Sequence, residues 1–114
     1  MDVQVPVVAT YGQVLARFGH ALSDPTRARL LLALRDGPAY PTDLAELLGV
    51  TRQNLSNHLA CLRGCGLVMA VAEGRRSRYE LADDRLAHAL GDLLGVVLAV
   101  DPQACPAAQT DGCC

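Results

Sequence analysis

The stretch "LAELLGVTRQNLSNHLACL" constrains the fold most, because it stops one amphipathic helix and starts another within three residues. Gly49 is the residue type that closes a helix in a left-handed conformation, and Thr51 is a good helix N-cap. Only Val50 separates them, so two short helices meet at a tight turn. The helix before the turn, within "PTDLAELLGV", is started by Thr42 and stopped by Gly49. The helix after it runs from the Thr51 cap to about Gly64–Gly66. Its Leu55, Leu59 and Leu62 recur at spacings of four and three, which marks a buried face.

The flanks complete the pattern. Residues 7–22 form a first helix with Val8, Tyr11, Leu15, Phe18 and Leu22 on one stripe. In "SDPTRARLLLALRDG", Ser23 or Asp24 caps a second helix, Pro25 suits its first turn and Gly37 lies just past its end. The period then changes in "LVMAVAEGRRSRYELA". Extended runs near Leu67–Ala72 and Ser77–Leu81 flank a turn at Glu73-Gly74-Arg75, which reads as a hairpin. A last amphipathic helix runs from Asp83 to about Val100, with Asp83 or Asp84 as its cap. The expected fold is mainly α with a small β-hairpin: a winged helix-turn-helix over residues 1–101, then a flexible cysteine-bearing tail over 102–114.

With 114 residues, 51% of them hydrophobic, the chain supports one domain. It has only 4% aromatic residues and no Trp, so the core must be Leu, Val and Ala, which favours helices. Leu86, Leu90, Leu93, Val97 and Val100 form a longer apolar stripe than one small subunit covers. Together with the first helix it predicts a homodimer, and a dimeric reader predicts an imperfect inverted repeat as its double-stranded DNA operator. A net charge of −2 argues against a nucleic-acid partner, but the distribution argues for one. Arg52, Arg63, Arg75, Arg76 and Arg78 against Glu73 and Glu80 leave residues 51–80 at +3. The N-terminus lacks the charged start and long apolar run of a secretory signal, and no apolar run reaches the roughly 20 residues of a membrane span. The expectation is a cytoplasmic protein with no membrane partner.

Residues near the start of the second helix of such a motif meet base edges. Arg52, Gln53, Ser56, Asn57 and His58 supply donors and acceptors there; Gln and Asn pair with adenine and Arg with guanine. Thr42 and Thr51 are caps first, although a group at a helix start also holds phosphate. Arg75 and Arg76, at the hairpin tip, are placed for the minor groove or phosphates. Arg78 suits either the DNA or the sheet.

Five cysteines, an odd number in a chain expected to stay reduced, point to metal or redox chemistry rather than a disulfide framework. Cys61 and Cys65 lie four residues apart, which puts their Cβ atoms about 6 Å apart on one helix face. One ion can bridge them, with a third donor from elsewhere. All-sulfur ligation favours Cd(II), Pb(II), Hg(II), As(III) or Cu(I) over Ni(II), Co(II) or Mn(II). The plainer reading is that free cysteines fill a core as small hydrophobes. Cys113 and Cys114 are adjacent, too close for an ordinary disulfide, and form a dithiol in the tail. Asp84, His88 and Asp92 recur every four residues, as on any solvated helix face, and His20 reads as an ordinary helix residue. The sequence carries no acid/base pair, nucleophile–base motif or phosphate loop, so neither an enzyme nor an organic cofactor is expected. A metal carrier would not need an arginine-bearing wing.

Taken together, "ALSDPTRARLLLAL", "TDLAELLGVTRQNLSNHLACLRGCGLV" and "EGRRSRYELAD" resemble the ArsR/SmtB family of metal-responsive repressors over roughly residues 12–100. "NHLACLRGCGLV" followed by "HALGDLLGVVLAVD" is similar to its cadmium/lead sensors. The resemblance implies a homodimer that leaves its operator when Cd(II) or Pb(II) binds. It also implies a metal site of Cys61, Cys65 and, from the other subunit, Cys105, with Cys113 and Cys114 as accessory thiols. The chain departs from those sensors in the spacing before Cys105, in lacking a cysteine near its start and in its terminal Cys pair. The arsenic-type site of the family needs cysteines on the third helix, and "YPTDLAELL" has none. Two alternatives remain within this fold: a response to As(III) or Hg(II), and a response to thiol oxidation or persulfide.

Overall fold

The computed structural model describes residues 4–99. Helix α1 (Gln4–Leu22) leads into α2 (Pro25–Arg35), α3 (Pro41–Leu48) and α4 (Arg52–Gly64). Strands β1 (Val68–Glu73) and β2 (Arg76–Leu81) follow, then α5 (Asp84–Ala99). Three helix starts have a side-chain cap. Asp24 caps α2 by accepting the Arg27 N–H at 3.0 Å, with Pro25 in the first turn. Thr51 caps α4 by accepting the Asn54 N–H at 3.0 Å. Asp83 accepts the Arg85 N–H at 2.8 Å at the head of α5.

The start of α3 differs from the expectation. Its N-cap is Tyr40 and its first turn opens on Pro41, so Thr42 lies inside the helix and caps nothing. The fixed φ of proline suits a first helical turn, and its missing N–H is one that a helix start leaves unpaired anyway. Gly49 closes α3 with φ +68°, its N–H returning to Ala45 and Glu46. Arg29 of α2 adds a side-chain hydrogen bond to the Leu48 carbonyl at 3.3 Å. The helix–turn–helix is therefore fixed by the left-handed Gly49 and the Thr51 cap, as read from the sequence.

Leu30, Leu31, Leu44, Leu55 and Leu62 are fully buried, and Ala21, Leu34, Leu59, Val68 and Leu90 join them. This core lies where α2, α3, α4, the hairpin and the start of α5 converge. β1 and β2 pair antiparallel in a register that runs from Val68↔Leu81 to Glu73↔Arg76. The turn is thus Gly74-Arg75, with Gly74 at φ +61°, and Arg76 is already a strand residue. The hairpin is longer by a rung than the sequence alone suggests. A further bridge joins Ala39 to Tyr79 through hydrogen bonds of 2.9 and 2.8 Å, which stitches the wing to the lead-in of α3.

Two surfaces stay apolar and uncovered. α1 leaves Val8, Tyr11 and Leu15 exposed, Leu15 at 68%. α5 buries Leu90 but leaves Leu93, Val96 and Val97 open, Val97 at 56%. Val100, on the same predicted stripe, lies outside the described residues, as does the 102–114 tail. Among the described residues no helix is long and apolar enough to cross a membrane.

Candidate functional site

Leu55, Leu59 and Leu62 bury one face of α4 and so turn Arg52, Gln53, Ser56 and Asn57 outward. The Gln53 amide donates to Asn57 Oδ1 at 3.0 Å, so two amides one turn apart present their remaining groups together. His58 does not join them. Its side chain is only 17% exposed and faces α2, with Nε2 3.7 Å from Asp24 Oδ2. Its Nδ1 lies 3.4 Å from the Arg27 guanidinium. The expectation of a base contact by His58 gives way to a role inside the fold, because the periodicity that exposes Asn57 turns the next residue inward.

Arg27 is a residue the sequence reading missed. It donates to the Ala21 carbonyl at 3.0 Å and to the His20 carbonyl at 2.9 Å. It therefore ties the end of α1, the start of α2 and the middle of α4 to one guanidinium. Partial burial works to raise the Asp24 carboxyl, but the Arg27 N–H, His58 and the Arg27 charge outweigh it and hold it below its ordinary value. No local motif marks such a hub, since its partners are brought together only by tertiary packing.

At the wing, Arg75 is exposed in the turn. Arg76 lies over the Tyr40 ring, 3.6 Å from its centroid. Arg78 belongs to the sheet: it pairs with Glu73 at 2.8 Å and with Glu80 at 3.9 Å. Tyr40 donates its hydroxyl to Glu73, and that bond chiefly raises the Tyr40 pKa.

The two thiols sit at the other end of α4. Cys61 is in the last turn, and Cys65 is the C-cap, its N–H bonded to the Cys61 carbonyl at 3.0 Å. Both are free and half-buried. Burial, and then the neighbouring Cys61 thiol, push the Cys65 thiol up, while Arg17 and Arg27 pull it down. Cys65 also lines an apolar groove of ≈ 430 Å³ with Val14, Leu15 and Phe18 of α1 and Leu86 and Ala89 of α5. Two sulfurs on adjoining turns fit two positions of a soft-metal site. Among the described residues no third His, Cys, Asp or Glu completes a cluster with them. Asp84, His88 and Asp92 form no such cluster either. Cys105, Cys113 and Cys114 lie outside the described residues.

This arrangement has close relatives. A family model described as "Bacterial regulatory protein, arsR family" matches residues 24–70, the span from the α2 cap into β1. The transcriptional regulator CmtR of Mycobacterium tuberculosis is 67% identical over 87 residues, which cover 76% of this chain and 74% of CmtR. The chain belongs to the ArsR family. Among solved structures, the cadmium metal-sensor CmtR from M. tuberculosis aligns with a TM-score of 0.64 at 65% identity, covering 77% of this chain and 92% of that one. A homodimeric winged helix-turn-helix DNA-binding domain from Mycobacterium bovis aligns with a TM-score of 0.73 at 29% identity, covering 79% of this chain and 83% of that one. A relative from Streptomyces lividans, named "Probable mercury resistance operon repressor", is 37% identical over 83% of this chain and 74% of its own length. This ArsR-family chain thus has the winged helix-turn-helix fold of a transcriptional regulator.

Proposed function

We propose that the protein is a metal-sensing transcriptional repressor. In this reading it binds an imperfect inverted repeat in double-stranded operator DNA as a homodimer in the cytoplasm, and is released by a soft thiophilic ion, Cd(II) or Pb(II). One observation carries it: α4 exposes Gln53 and Asn57 at one end and holds two free, neighbouring thiols at the other. The 67% identity to CmtR and the likeness to a cadmium sensor support the choice of ion. Cys61 and Cys65 give up their protons and hold the ion with Cys105 of the second subunit, with Cys113 and Cys114 as accessory thiols. Such all-sulfur ligation suits soft ions.

Arg52, Gln53, Ser56 and Asn57 face the major groove, and Arg75 and Arg76 face phosphates or the minor groove. Thr42 and Thr51, at the two helix starts, lie against the backbone. The exposed faces of α1 and α5 pair the subunits. Ligation at the α4 C-cap then changes the orientation or rigidity of the helix that reads bases. The two ligands oppose one another through a single coupling free energy, of order 1–3 kcal/mol. The test is fluorescence anisotropy of a labelled promoter duplex with and without Cd(II), alongside the ultraviolet thiolate-to-metal absorption. Binding that Cd(II) and Pb(II) leave unchanged would refute the reading. The S. lividans relative favours Hg(II) as a second inducer, and competition in the same titration ranks the ions.

A further inference from the structure

Tyr40 gathers the charged residues of the wing around one ring. The Arg76 guanidinium carbon lies 3.6 Å from the ring centroid. The Tyr40 hydroxyl donates to one Glu73 oxygen, and Arg78 pairs with the other at 2.8 Å. The backbone beside the ring is equally fixed, because Ala39 and Tyr79 exchange hydrogen bonds of 2.9 and 2.8 Å. Tyr40 is moreover the N-cap residue of α3, so the ring stands at the joint between the wing and the helix-turn-helix.

Arg76 is exposed, and among the described residues its guanidinium has neither a hydrogen-bond nor an ion-pair partner. The ring supports the guanidinium at contact distance without taking up its N–H groups. A cation already held in place loses little rotamer freedom when those N–H groups meet a phosphate. Glu73 would otherwise repel the same phosphate. Arg78 and the Tyr40 hydroxyl occupy its two oxygens and offset that repulsion. Resting on the DNA-binding reading above, we propose that Tyr40 is a positioning residue for duplex DNA. Its ring holds the Arg76 guanidinium ready for a backbone phosphate, and its hydroxyl, by occupying Glu73, keeps that carboxylate from repelling the same phosphate.

A phosphate contact is independent of sequence, so the probe is a fluorescein-labelled mixed-sequence 40-base-pair duplex, titrated with the full-length protein at several salt concentrations. Arg76→Ala should lower the salt slope by about one phosphate contact. Tyr40→Leu should do the same and weaken low-salt binding about three-fold, the size expected of a lost cation–π contact. The Tyr40→Leu/Arg76→Ala double variant should be no weaker than Arg76→Ala alone. Tyr40→Phe, which keeps the ring and removes the hydroxyl, should keep the wild-type slope yet bind more weakly, because Glu73 is left with an unoccupied oxygen beside the phosphate; wild-type affinity in that variant would overturn the hydroxyl's part. Strictly additive losses, or a Tyr40→Leu protein with the wild-type slope, would overturn the assignment. Should Tyr40→Leu fail to fold, the wild-type Arg76 Hδ resonances decide: a ring-current shift retained on DNA supports the role, and its absence overturns it. Wild-type protein with no salt-dependent DNA binding would instead defeat the DNA-binding reading, and this inference with it.

Discussion

His58 Nε2 lies 3.7 Å from Asp24 Oδ2, which joins the helix that carries the thiols to the N-cap of α2. Asp24 also accepts the Arg27 N–H, and its pKa is held below the ordinary 3.8. A carboxyl lowered on folding adds stability above its unfolded pKa, and loses it as the pH falls through the folded value. Asp24→Asn keeps a capping oxygen and removes the charge. The variant should be less stable at pH 7 by at most about 1 kcal/mol, since Asp24 is partly solvated. The gap should close as the pH falls below about 4. Urea unfolding from pH 7 to pH 3 measures it, and a gap that persists at pH 3 contradicts the assignment.

Gly49 and Gly64 make opposite predictions from the same substitution. Gly49 is left-handed at φ +68° with open space around it, so Gly49→Ala meets only a conformational cost, about 1 kcal/mol. Gly64 is the last residue of α4, is not left-handed and also has open space for a Cβ. Gly64→Ala should therefore stabilise by about 0.5 kcal/mol. Thermal melts of the two variants should move in opposite directions.

Leu15 exposes two-thirds of its surface on α1, on the face assigned to subunit pairing. Leu15→Glu should leave the helix intact and shift the protein toward monomer in sedimentation velocity at micromolar concentration. Affinity for an inverted-repeat duplex should fall with it. An unaltered dimer would move the interface elsewhere.

Gln53 and Arg75 separate address from adhesion. Gln53→Ala should cost roughly 1–3 kcal/mol at particular base pairs and leave the salt slope alone. Arg75→Ala should weaken binding to all sequences alike and lower the slope by about one contact. Anisotropy with a panel of duplexes distinguishes the two.

On the proposed reading, Cys61→Ser or Cys65→Ser should abolish metal-driven release while leaving metal-free DNA binding within about two-fold, because neither residue is among the groups assigned to DNA. Cys65 has its thiol pushed above the ordinary range. Its alkylation should accordingly be slow at pH 7 and rise with pH beyond that of a free cysteine. The ion displaces thiol protons, so apparent metal affinity should also climb from pH 6 to pH 8. Metal release persisting in Cys61→Ser would exclude the thiol pair as the sensor.

The sequence makes the order of elements legible because each boundary is local. Asp24, Gly49, Thr51 and Gly74 act through neighbours two to four residues away, and each does what its residue type suggests. Thr42 misleads because two start signals, Pro41 and Thr42, stand side by side, and the proline sets the boundary. That Cys61 and Cys65 adjoin at the end of α4 is equally local and follows from their spacing. Arg27 and Tyr40 are missed, and the surroundings of His58 are misjudged, because their partners lie across elements. A histidine one place beyond an exposed Asn57 looks like a DNA contact until α2 is packed against it. Arg76 is legible as a wing-tip cation, but its ring partner is not, because only the Ala39–Tyr79 bridge brings Tyr40 beneath it.

α4 is 13 residues long, with Gln53 near its start and Cys65 just past its end. At 1.5 Å per residue, the two stand about 18 Å apart along the axis, with the buried leucines between them. A substitution at one end touches nothing at the other. On the proposed reading, substitutions that alter the choice of ion and those that alter the choice of base pairs fall on different turns of one helix, so either specificity could change in descendants without a direct contact to the other.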